Sequence, residues 1–284
     1  MLTTKRIAIL GTGNMGGALL GGILKAGLTP KDNLIATVRR EKSLARLEQR
    51  FPIAVTTDNT KAVRGADIVI LCVKPQAATA VLSEIRGCVT DQQLFISILA
   101  GVTTSAIAGM LGCQCPVVRA MPNIAALVDE SATAIYPGEL ADSSHVAMAR
   151  AIFEAVGGVE VVDDENLMNT VTGLSGSGPA YIYMVIEALT DGGVKMGLSR
   201  PISLRLATQA VLGAARLVQE TGEHPAVLRD QVTTPGGTAI AAIHELERHG
   251  LRPMLISAVV TATERSEQLS RMLVAPASNT EKRG

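Results

Sequence analysis

Residues 7–27 read IAILGTGNMGGALLGGILKAG, and this stretch decides the fold. An apolar run meets three glycines in the spacing G-x-G-x-x-G, Gly11, Gly13 and Gly16, and the sequence beyond them takes up a helical period. A strand that turns on glycines into a helix is the phosphate-binding form of the βα unit. Each glycine has its own task there. Gly11 makes the tight turn, Gly13 lets the backbone approach a pyrophosphate, and Gly16 allows the helix to lie close on the strand. Thr12, Asn14 and Met15 fill out the turn, and the free N–H groups of the helix start face the negative charge.

Outward from this turn the text is of two kinds. Short β-branched runs alternate with helical stretches up to about residue 162: KRIAIL at 5–10, NLIATV at 33–38, ADIVILCV at 66–73, QLFISIL at 93–99, PVVRAM at 116–121, ATAIYP at 132–137 and VEVV at 159–162. That rhythm predicts a mostly parallel sheet built from βαβ units. After Asp163 the strand signals stop, and helical patterns cover 179–196, 200–221, 237–249 and 252–273, punctuated by turn residues at 197–201, 222–225 and 233–237. The expected fold is α/β, an N-terminal Rossmann-type dinucleotide-binding domain over 1–162 followed by an all-helical domain over 163–275. Residues 276–284 have no periodicity and read as a flexible tail.

Composition narrows the function. The chain has 284 residues, with 26 basic residues balanced by 26 acidic ones, so no net field draws nucleic acid or a membrane surface. Aromatics make up only 2% and there is no tryptophan, which removes stacking platforms for single strands. No apolar run is long enough for a membrane span. Lys5 and Arg6 lead straight into the first strand, so no secretory leader is read and a cytoplasmic location is expected. Cys72, Cys88, Cys113 and Cys115 lack zinc spacing and are expected to be reduced, structural thiols; no metal site is expected.

The second strand bears on the cofactor. An NAD site places a carboxylate near its end to bond the ribose 2′-OH. Here the sequence is ATVRREK, and Arg39 and Arg40 stand where a guanidinium fork grips a 2′-phosphate. NADPH is therefore expected, with NADH as the alternative donor. Further strand ends line the same edge: Val73-Lys74-Pro75, Ala100-Gly101, and Met121-Pro122-Asn123.

Beyond the strands, two glycine-rich stretches each precede a helix. In GLSGSGPAY, 173–181, Ser175 or Ser177 is expected to cap the helix, with Pro179 in its first turn. In TTPGGT, 233–238, the successive N–H groups of Gly236, Gly237 and Thr238 form a place for a small carboxylate. His145, His224, His244 and His249 fall in polar helices or turns and read as surface residues. With no Ser/His/Asp arrangement in evidence, a hydride acceptor that needs little acid help fits, and an imine that arrives protonated is one.

These segments carry a resemblance. GTGNMG, VKP at 73–75, AGV at 100–102, RAMPN at 119–123, GLSGSGPAY, DGGVKMGL at 191–198, and ETGEHP with PGGT at 220–238 are together similar to pyrroline-5-carboxylate reductase, in order from the first strand to about residue 273. The resemblance implies hydride transfer from NAD(P)H to 1-pyrroline-5-carboxylate, giving L-proline. It implies a homodimer of interlocked helical domains, with a decamer as a further assembly and each active site near the subunit interface. It places cofactor contacts on Gly11 to Gly16, Arg39, Arg40, Asn59, Val73 to Pro75, Ala100 and Gly101. Substrate contacts fall on Thr234, Gly236, Gly237, Thr238 and Ala239. Nicotinamide and substrate would meet near Met121, Asn123, Ser175, Ser177 and Gly178, with Ser175 and Thr238 as the candidate catalytic groups. Ile124 and Ala239 stand where the family more often has threonines. A β-hydroxyacid dehydrogenase shares the two-domain plan but expects a lysine at the place held by Ile182, and a cofactor-binding protein without turnover is the other alternative.

Overall fold

The structure is a computed structural model that describes residues 2–274, with side chains to Arg271. The tail expected at 276–284 lies outside the described residues. One sheet of eight strands contains β1 (Ile7–Leu10), β2 (Leu34–Thr37), β3 (Ala54–Thr56), β4 (Ile68–Leu71), β5 (Leu94–Ser97), β6 (Val117–Met121), β7 (Ser131–Pro137) and β8 (Gly157–Val161). Their order is β3-β2-β1-β4-β5-β6-β7-β8. The first six are parallel to one another, β7 runs antiparallel to β6, and β8 follows β7 in parallel. The helices that accompany them are α1 (Asn14–Lys25), α2 (Leu44–Arg50), α3 (Asn59–Val63), α4 (Pro75–Ile85), α5 (Thr104–Leu111), α6 (Ser143–Glu154) and α7 (Leu167–Val171).

The central strands are uninterrupted apolar runs because both faces of the sheet are covered. Side chains alternate between the faces. Ile7 and Ile9 of β1 join Leu19, Leu20, Ile23 and Phe153 on one side, while Ala8 and Leu10 join Leu82, Phe95, Ile107 and Leu111 on the other. β3 escaped the sequence reading because it is three half-exposed residues at the sheet edge, with no apolar run to mark it.

By compactness the chain forms two units, one reaching to Ser177 and taking back the segment from Thr261, the other Gly178–Val260. The second unit holds α8 (Gly178–Lys195), α9 (Arg200–Thr221), α10 (Pro225–Gln231), α11 (Thr238–Arg248) and the beginning of α12 (Leu251–Val274). α8 and α9 are joined where Ser203 Oγ donates to Thr190 O at 2.7 Å, a contact for which Gly193 leaves room. α10 was not foreseen, because seven residues opened by Pro225 show no period. Among the described residues of this unit only Thr190, Ser203 and Ala207 are buried, while Met184, Leu206 and Ile256 lie well exposed. Such helices offer apolar faces that a single chain does not cover.

One expectation is corrected. Gly112 ends α5 in the left-handed conformation, φ 67°, and just beyond it the Cα atoms of Cys113 and Cys115 stand 5.3 Å apart and the two are joined in a disulfide. They are not the thiols expected; Cys72 and Cys88 are free.

Candidate active site

The turn after β1 is built by Gly11 at φ +91°, a conformation that disfavours any side chain. A Cβ on Gly11 would meet Val73 at 2.8 Å, and one on Gly16 would meet Gly11 O at 2.5 Å and Cys72 at 3.3 Å. Gly13 has open space in front of it. The turn is anchored to β2: Gly11 N donates to Thr37 Oγ1 at 3.0 Å, and both Thr12 N and Thr12 Oγ1 donate to Thr37 O at 2.9 Å. The N–H groups of Asn14, Met15 and Gly16, in the first turn of α1, have no partner among the described residues. A phosphate fits that place, since the open face belongs to a residue without a side chain and the donors are unspent.

Arg39 and Arg40 follow β2, both exposed and without a carboxylate partner among the described residues. Asn59 opens α3 and its amide donates to Glu84 at 2.9 Å. Lys74 is the N-cap residue of α4, exposed, with Pro75 at the first helical position. Gly101, at φ +78°, lies so close to Ser270 that an added Cβ would be 3.2 Å from its backbone N. A cavity of about 340 Å³ at these strand ends is lined by Pro75, Ala100, Gly101, Thr172, Ser177 and Arg265. Ser266 Oγ and Ser270 Oγ of α12 both donate to Asn169 Oδ1, at 2.8 and 3.2 Å, and hold that helix beside α7.

The GLSGSG segment is not the loop it resembles in sequence. Residues Thr172–Gly176 continue α7 as a π-helical turn. Ser177 N donates to Thr172 O at 2.9 Å, five residues back, and Ser175 Oγ donates to Val171 O at 3.2 Å. The expectation that Ser175 caps a following helix is therefore corrected: the backbone is already helical there, and its hydroxyl bonds the preceding turn. Asn123, 9% exposed, donates from Nδ2 to Ser175 O at 3.0 Å. Met121, at the end of β6, brings its terminal methyl to 3.1 Å from where a Cβ on Gly176 would stand.

In the second unit, Thr234 to Gly237 form a turn, with Gly236 at φ +68° and Gly237 N donating to Thr234 O at 2.9 Å. Gly237 is the N-cap residue of α11 and its side-chain position is filled by the Thr234 hydroxyl. Three successive free N–H groups were expected at 236–238; the turn consumes the one on Gly237. At the helix start the donors without a partner among the described residues are those of Gly236, Thr238, Ala239 and Ile240.

Comparison with known proteins covers most of the chain. Residues 165–269 match the family described as pyrroline-5-carboxylate reductase dimerisation, and residues 6–101 match NADP oxidoreductase coenzyme F420-dependent. The pyrroline-5-carboxylate reductase of Methanosarcina acetivorans is 46% identical over 95% of this chain and 100% of its own length, and that of Escherichia coli is 39% identical over 94% and 99%. The chain belongs to the pyrroline-5-carboxylate reductase family. The solved reductase of Coxiella burnetii superposes with a TM-score of 0.89 at 36% identity, covering 94% of this chain and 99% of that one. The Plasmodium falciparum pyrroline carboxylate reductase with NADP bound gives 0.84 at 30% identity, covering 95% and 100%.

The protein is thus an oxidoreductase with a Rossmann-like sheet and a dimerisation domain, and no described helix is long and apolar enough to cross a membrane. Sequence reasoning missed Glu165, Asn169, Ser266 and Ser270, whose partners are distant along the chain. It had a signal available for Glu165, the last of the acidic run Asp163-Asp164-Glu165 between a strand and the glycine-rich segment. Two histidines prove to be capping groups: His145 Nδ1 accepts from Asp142 N at 3.1 Å and His224 Nδ1 accepts from Ala226 N at 3.2 Å.

Proposed function

We propose that the protein reduces 1-pyrroline-5-carboxylate to L-proline by hydride transfer from NADPH, the last step of proline biosynthesis. The observation that carries this reading is the similarity to proteins named pyrroline-5-carboxylate reductase, one of them 46% identical over 95% of the chain. Gly11, Thr12, Gly13, Asn14, Met15 and Gly16 hold the pyrophosphate through backbone N–H groups. Arg39 and Arg40 grip the 2′-phosphate, which favours NADPH while leaving NADH a weaker donor. Asn59, Val73, Lys74, Pro75, Ala100 and Gly101 line the rest of the dinucleotide path, and Met121 and Asn123 stand at its nicotinamide end. When bound there, NADPH supplies the hydride.

The substrate carboxylate is assigned to Thr234, Gly236, Gly237, Thr238 and Ala239, where N–H donors at a helix start hold an anion without arginine. Ser175, Ser177 and Gly178 face the ring, with Ser175 and Thr238 supplying hydroxyls. The imine carbon needs no strong acid if its nitrogen arrives protonated, so the work of these groups is positioning. A homodimer through the exposed faces of α8 and α9, a decamer built from it, domain roles divided at 162/163 and a cytoplasmic location complete the proposal. The test is turnover of synthetic 1-pyrroline-5-carboxylate: one proline formed per NADPH oxidised is expected, and NADPH binding without proline formation would overturn the reading.

A further inference from the structure

We propose that Asn123 is a positioning residue: its side-chain amide supplies the hydrogen bond that Pro179 withholds from the π-turn, and so fixes Ser175. In a regular α-helix the carbonyl of Ser175 would accept from the N–H of residue 179. That residue is proline, which has no N–H and whose ring, in a regular helix, would clash with the carbonyl four residues earlier. The helix yields by widening, and Thr172–Gly176 becomes π-helical, with Ser177 N reaching back to Thr172 O at 2.9 Å. Ser175 O then meets Asn123 Nδ2 at 3.0 Å.

Asn123 is oriented for this by its own surroundings. Its Oδ1 accepts from Ala125 N at 3.1 Å, so the opposite end of the amide, the NH2, must face the carbonyl. Its backbone N donates to Ser131 Oγ at 3.1 Å, and that hydroxyl is 3.1 Å from Thr133 Oγ1, both residues being 3% exposed. The end of β6 is thus locked to β7, and the π-turn is locked to the end of β6. The side chain acts inward on the protein backbone, a role separate from the nicotinamide contact assigned to it by resemblance. The step from Ser175 position to catalysis rests on the proposed function.

Asn123→Asp keeps the acceptor for Ala125 and removes only the donor, and Pro179→Ala restores an N–H four residues after Ser175. Wild type, both single variants and the double variant are compared for kcat, KM, NADPH affinity and unfolding midpoint. Asn123→Asp is expected to lower kcat about tenfold and the unfolding midpoint with it. In the Pro179→Ala background the same substitution should cost about twofold, because the carbonyl then has another donor. Equal losses in both backgrounds, or a loss confined to NADPH affinity, would overturn the proposal. Should Asn123→Asp fail to accumulate, Asn123→Ser takes its place, since its hydroxyl can still cap Ala125. If wild type itself forms no proline, the functional reading fails, and coupling in the unfolding midpoints still decides whether Asn123 replaces the missing N–H.

Discussion

Arg119 and Glu165 meet at 3.3 Å with the guanidinium side chain 4% exposed and the carboxylate 18% exposed. The same carboxylate accepts from Thr104 N at 2.8 Å and Thr104 Oγ1 at 3.1 Å. One acid therefore joins β6, the start of α5 and the approach to α7. Burial pulls the Arg119 pKa down, and the Glu165 charge opposes that pull. Glu165→Ala leaves a buried cation unpaired and should cost about 3–5 kcal/mol of stability. An apolar Arg119→Leu/Glu165→Leu pair should lose less than Glu165→Ala alone. Urea unfolding of the variants checks this, and additive losses would show that the two groups do not act as a pair.

Replacing both Arg39 and Arg40 by alanine should raise KM for NADPH about tenfold while moving KM for NADH by less than about twofold, the effect of losing charge-assisted bonds to a phosphate that NADH lacks. Equal changes for both donors would remove the phosphate grip from these residues.

Gly237→Val should abolish proline formation and leave NADPH affinity intact, because the new side chain collides with the Thr234 hydroxyl and disrupts the turn that presents the N–H groups of Thr238 and Ala239. Ala239→Thr should raise kcat/KM up to about tenfold, the value of one added hydrogen bond. Steady-state kinetics beside cofactor titration decides both.

Cys72 is a partly exposed residue whose thiol is nonetheless desolvated, which pushes it up to about 12 from an ordinary 9.0. The unfolded chain releases this proton first, so the thiol's contribution to stability is complete below about pH 9 and is withdrawn as pH rises toward 12. Native protein should resist alkylation at Cys72 at pH 9, and denatured protein should not. Peptide mapping after iodoacetamide treatment reads the difference; rapid labelling of the native protein would contradict the desolvation.

Light scattering should return a particle of at least twice 29.6 kDa. Met184→Asp with Leu206→Glu, on the exposed apolar faces of α8 and α9, should shift it toward the single chain.

The sequence makes the sheet legible where burial on both faces forces unbroken apolar text, as in IAIL and IVIL, and the four long helices legible where a period is repeated enough times to be seen. The glycine turn is legible because Gly11 must take a positive φ and Gly16 must leave room for Gly11 O. The π-turn is hidden because SGSGP has the composition of a loop, and only Asn123, more than fifty residues earlier, explains how its carbonyl is satisfied. The disulfide at Cys113 and Cys115 depends on a turn conformation that spacing alone does not give. The Asn169 contacts to Ser266 and Ser270 span 97 and 101 residues, beyond any local pattern.

The return of α12 to the first unit bears on how this chain can be cut. Ser266 and Ser270 complete the hydrogen bonding of Asn169, and the backbone of Ser270 closes over Gly101. A fragment ended at Ser177 would keep every strand and the whole glycine turn, yet leave Asn169 uncapped and Gly101 bare to water. The nucleotide-binding half is therefore no portable cassette: excised or grafted alone, it lacks a piece synthesised some ninety residues later, and it can reach its finished form only after nearly all of the chain has left the ribosome.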